Sequence, residues 1–158
     1  MNIAEHLLVE RIQEAFVGCE LPDYFTEHEP GRCWQCADVE LALRRFVGKW
    51  GKNRLFMRGL GADLLFLNVD GFKFLAPRLV GFALSGLPGS DELLTDVVEE
   101  YGLNALEHGQ GCFNEKQKES LKDFALSELI AHRQKFTKLG FDDDEIDALK
   151  RRWRSVQV

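Results

Sequence analysis

Apolar residues recur along most of this chain at three- and four-residue spacing, the period of a helix packed on one side. Ala4, Leu8, Ile12, Ala15 and Phe16 form the first such run. Asn2 and Glu5 stand before it at the spacing of a capping box, and Gly18 stops it. Pro22, Pro30 and Gly31 predict a loop over residues 18–34. The second helix is the cleanest in the pattern: Val39, Ala42, Leu43, Phe46, Val47 and Trp50 share one face, and Gly51 ends it. Residues 54–67 predict a helix despite the cost of Gly59 and Gly61.

Residues 70–87 are apolar on all sides, which predicts a central buried helix, kinked or begun at Pro77. Ser90 is expected to cap the next helix, which carries Leu94, Val97, Val98 and Tyr101, and Gly102 to Gly111 reads as a glycine-rich loop. Asn114 with Gln117 opens a long helix faced by Leu121, Phe124, Ala125, Leu129 and Phe136. Asp142 with Glu145 opens the last, stapled by Phe141 and Ile146 and buried through Leu149 and Trp153. The expected fold is all-α: a single compact domain over 1–158, with six or seven helices around a Phe-rich central one. Its predicted core includes Phe46, Phe74, Leu79, Phe82 and Phe124.

Composition narrows the function classes. A hydrophobic fraction of 45% with twelve Phe supplies a core that needs no disulfide or metal to fold. A net charge of -6 argues against nucleic acid, which selects clustered Lys and Arg, and is compatible with a basic protein partner. The start, Met-Asn-Ile-Ala-Glu-His, lacks the basic-then-apolar pattern of a signal peptide. The longest apolar region, Leu55 to Leu87, is broken by Arg58, Asp63, Asp70, Lys73 and Arg78, which excludes a membrane span there. Cys19, Cys33, Cys36 and Cys112 are therefore expected as reduced thiols in a cytoplasmic protein.

Chemistry concentrates in His28-Glu-Pro-Gly-Arg-Cys33-Trp-Gln-Cys36. Zinc favours tetrahedral Cys/His shells, and Cys-x2-Cys lets both sulfurs reach one ion. His28 adds a third donor, and Cys112 or His108, four residues apart, a fourth. Cys33, Cys36, Cys112 and His108 would also make a complete shell without His28. The competing reading treats the cysteines as small buried hydrophobes and Trp34 as a core anchor. A thioredoxin-like role would need a strand leading into a helix, which this pattern does not predict. No nucleophile elbow, phosphate loop or His-Glu-x2-His motif is present. His6 and His132 read as solvated surface histidines. The acidic start and basic end of the last helix complement its dipole. Asp91, Glu92, Asp96, Glu99 and Glu100 form an acidic stretch, with Glu92, Asp96 and Glu99 on one face of a regular helix, the best candidate for gripping a basic protein.

Several of these segments together resemble a family of small uncharacterised bacterial proteins. They are Ile12 to Phe16, His28-Glu29 with Cys33 and Cys36, Trp50, Gly71-Phe-Lys-Phe-Leu-Ala-Pro-Arg-Leu79 and Phe113-Asn-Glu-Lys-Gln117. The likeness runs over roughly residues 8–130 and leaves the last helix as an addition; Pro30-Gly31-Arg32 interrupt the family's His-Glu-Cys spacing. It implies a helical fold in a bacterial cytosol and no reaction. The leading expectation is a non-catalytic protein-binding protein, for instance an immunity protein neutralising a toxin, with no cofactor. The alternative is a zinc-binding protein or zinc-dependent enzyme using the Cys33/Cys36 loop.

Overall fold

Helix starts written in the sequence are realised as side-chain caps. The computed structural model describes residues 2–29, 31–46 and 66–158. Helix α1 (Ile3–Ala15) opens with the Asn2/Glu5 box, and Ile12, Ala15 and Phe16 are buried, while Ala4 is exposed. Helix α2 (Trp34–Phe46) turns Val39 and Leu43 into the core. The rest of the predicted second helix, the Phe46 side chain and nearly all of the predicted 54–67 helix lie outside the described residues.

Helix α3 (Val69–Ala83) is the central one, running through Pro77 and capped by Asn68, whose Oδ1 accepts the Gly71 N–H at 2.7 Å. Phe72, Leu75, Ala76, Leu79, Val80, Phe82 and Ala83 are buried. It is not apolar on every side in space: Arg78 is exposed, and Phe74 is only half-buried, edge-on to Phe25 at 5.8 Å and beneath the Arg78 guanidinium.

Helix α4 (Ser90–Asp96) begins differently from expectation. Gly89, at φ +86°, takes the cap position, and Ser90 is buried behind it with its N–H donating to Leu87. The predicted loop after Tyr101 is also helical. A π-turn (Val97–Tyr101) leads straight into α5 (Gly102–His108), and a 3-10 turn (Gln110–Cys112) follows. Gly102 marks a close approach rather than a break, since a Cβ there would meet Val97 O at 2.6 Å and the Trp153 ring at 3.0 Å.

The long helix predicted from Asn114 is two: α6 (Glu115–Ala131) and α7 (Arg133–Lys138), parted at His132, where φ is -121°. Helix α8 (Asp143–Ser155) starts on the Asp142/Glu145 box and buries Ile146, Leu149 and Trp153. Helix α6 packs against α1 and α8, α3 against α1 and α4, and one apolar cluster runs from Ile12 to Trp153. The fold is all-α: among the described residues the only extended pairing is an isolated bridge between Thr26 and Leu67, and no helix is long and apolar enough to cross a membrane.

Candidate metal centre

The segment that carries His28 is irregular, so its position depends on side chains that hold its backbone. Asn68 supplies most of the grip. Its N–H donates to Phe25 O at 2.8 Å, and its side-chain amide donates to Tyr24 O and Thr26 O at 2.9 and 3.0 Å. From the other side Glu40 of α2, 4% exposed, accepts the Phe25 N–H at 2.6 Å and is neutralised by Arg44 Nε at 2.7 Å. Arg44 also donates to Pro22 O and Asp23 O and covers the Phe25 ring. A Cβ on Gly71 would lie 2.5 Å from Phe25 O, so glycine is what lets α3 approach this segment. The loop is thereby clamped between the later turns of α2 and the start of α3.

The clamp brings three donor atoms together. One nitrogen of His28 and the sulfurs of Cys33 and Cys36 all lie within 4.8 Å of one another. His28 Nδ1 is 3.4 Å from Cys36 Sγ. A tetrahedral zinc with Zn–N of about 2.0 Å and Zn–S of about 2.3 Å has N···S edges of about 3.5 Å, so the spacing suits that ion. Cys36 is buried, Cys33 half-buried and His28 exposed, giving the centre a closed side and an open side.

The two sulfurs differ because they occupy different points of a helix start. Cys33 stands just ahead of α2, and its sulfur accepts the Cys36 N–H at 3.5 Å. That bond first, then the Cys36 side chain, hold the Cys33 thiol below the ordinary cysteine range, against a smaller opposing effect of burial. Burial pushes the Cys36 thiol up, and the neighbouring Cys33 sulfur adds to this. The His28 N–H and the Thr26 hydroxyl work in the other direction. Donors of this kind would steady a thiolate at Cys36 once a metal ion displaced its proton.

Other sequence candidates lie elsewhere or do not converge. Cys112 is exposed on the 3-10 turn, with its carbonyl accepting Lys73 Nζ at 2.7 Å, and does not belong to the three-atom group. His108 is the last residue of α5, and its side chain lies outside the described atoms. Trp34 is 74% exposed, not a core anchor, because the first turn of α2 faces outward there. All four cysteines are free.

The acidic residues from Asp91 to Glu100 lie on α4 and the π-turn. Asp91 pairs with Lys135 at 3.3 Å, Glu92 and Glu99 are exposed, and Asp96 is half-buried; the Glu100 side chain lies outside the described atoms. Glu99 lies within the π-turn, which closes on i→i+5 bonds. A polar cleft of about 710 Å³ lies beside Asp70, Lys73, Asn114 and Gln117. Asn114 and Gln117 are engaged in their own capping box and Lys73 on Cys112 O.

The sequence pattern pointed to the three donor residues but not to the residues that hold their loop, Thr26, Glu40 and Asn68. Two signals exist in retrospect. Glu40 interrupts the apolar face between Val39 and Leu43 with Arg44 four residues on, and Asn68 precedes the apolar run of α3 as an N-cap would.

No family model, curated protein or solved structure matches this chain. What the centre can do rests on its own atoms.

Proposed function

We propose that this protein binds one zinc ion through His28, Cys33 and Cys36. The observation that carries the reading is the mutual approach of the three donor atoms, all within 4.8 Å, with an N···S separation of 3.4 Å. Three protein ligands leave a fourth position for water or an incoming ligand atom, as in zinc sites that do chemistry rather than only stabilise a fold. The exposed side of the centre, where His28 and Trp34 lie, suits such access. The buried side, with Cys36 and Thr26, suits retention of the ion.

A non-catalytic role in gripping a basic partner is the weaker reading. Its support is the exposure of Glu92 and Glu99, beside an Asp91 paired with Lys135 at 3.3 Å.

Elemental analysis of protein purified without chelator tests the zinc reading, beside cobalt substitution. Cobalt bound by thiolates should give a near-ultraviolet sulfur-to-metal charge-transfer band. The Cys33→Ser, Cys36→Ser double variant should lack it, and His28→Ala should weaken binding. A wild-type protein that shows no such band with excess cobalt would remove the reading.

A further inference from the structure

A second cluster of donor atoms lies across the molecule, where α1 meets the end of α6. Glu5, Glu128 and His132 each turn one ligand atom into a group lying within 4.8 Å. His132 Nε2 is 3.2 Å from Glu5 Oε1 and 3.7 Å from Glu128 Oε2. The other Glu5 oxygen accepts the Asn2 N–H at 2.6 Å, which fixes the carboxylate's orientation. Glu128 is 1% exposed, and its Oε2 is buried with no hydrogen-bond partner among the described residues.

That orphan oxygen is the informative feature. A ring nitrogen carries at most one proton, so Nε2 can serve one carboxylate well, and the nearer is Glu5. Glu128 Oε2 is left at a distance too long for a hydrogen bond, in a place where an unpaired carboxylate oxygen is costly. A divalent ion removes the conflict, because it satisfies all three atoms at once and balances two carboxylates against a neutral imidazole. Ligands about 2.1 Å from a tetrahedral ion are about 3.4 Å apart, and the two separations at Nε2 bracket that value. The group sits at the C-terminal end of α6, where the helix dipole favours a cation. Lys135 is near enough to act on Glu128, but its ammonium is engaged by Asp91.

We infer that Glu5, Glu128 and His132 form a second metal site, selective for a divalent transition ion with nitrogen and oxygen preference, zinc above manganese by the usual affinity order. The ion takes the lone pair of His132 Nε2, and the ring proton is then carried on Nδ1. It does not depend on the cysteine centre.

Zinc titration of the whole protein, by equilibrium dialysis with metal analysis, separates the two. The wild type should bind two equivalents, the Cys33→Ser, Cys36→Ser variant one, and Glu128→Gln one. In the cysteine-free variant, adding Glu128→Gln should weaken the remaining site at least about 100-fold. His132→Gln, at a half-exposed position, serves as a second variant should Glu128→Gln unfold by circular dichroism. Zinc should also shift the ring-proton NMR resonances of His132. A wild type whose zinc is lost entirely with the two cysteines, or is unaffected by both Glu128→Gln and His132→Gln, overturns the inference. A single equivalent lost only with Glu128 upholds it and instead removes the cysteine centre.

Discussion

Thr26 has no solvent exposure, and its hydroxyl reaches both the His28 carbonyl and the Cys36 sulfur. Replacing it with valine keeps the volume and removes only the hydroxyl. Thr26→Val should weaken zinc binding about 10–100-fold, the usual effect of losing a partner behind the ligands, which competition with a chromogenic chelator would measure. Glu128 makes a pH-dependent contribution of determinate sign. Burial raises its pKa in the folded protein, more than the nearby His132 lowers it, so the folded chain holds this proton after the unfolded chain has released it. Stability from this group is complete below the ordinary carboxyl range and is lost as pH rises through the raised value. With chelator present, urea melts from about pH 4 to about pH 7 should show Glu128→Gln gaining on the wild type as pH rises. A constant difference across that range would contradict it.

At the scale of elements, the π-turn decides how the second half of the molecule packs. It leaves the Val98 carbonyl available to the Trp153 indole N–H at 2.7 Å, and Gly102 lets the same ring lie against the backbone. Gly→Ala inside a regular helix stabilises by roughly 1 kcal/mol. Gly102→Ala should instead destabilise by about 1–3 kcal/mol, because the added methyl has no space; denaturant melts read the sign directly. This turn also marks where sequence reading stopped working. Asn2, Asn114 and Asp142 announced their helices because a cap is local chemistry, complete within four residues. Gly102 looked like a loop residue because its reason is Trp153, more than fifty positions away. His132 likewise looked solvated, since its partner Glu5 lies at the other end of the chain. The candidate metal donors His28, Cys33 and Cys36 were legible for the same reason as the caps: their spacing is short.

For the whole molecule, α8 is an integral part of the core rather than an appendage. Ile146, Leu149 and Trp153 are buried, and α8 lies along α6. Losing a buried Trp alone costs about 3–5 kcal/mol, against a total stability of about 5–15 kcal/mol for a domain. A chain ending at Gly140 should therefore lose its cooperative urea transition and its near-ultraviolet circular dichroism; retention of both would show that α8 is dispensable. The meeting of α1 with α6 has a further consequence, in the order of assembly. His28 and Cys36 are 8 positions apart, whereas Glu5 and His132 are separated by 127. Closing the longer loop costs about 2.4 kcal/mol more, at about 0.6 kcal/mol per doubling of length. Donors eight residues apart can find each other in a chain still collapsing. Those of Glu5 and His132 meet only when α1 has docked on α6, so an ion held there can be gathered only after that long-range contact has formed.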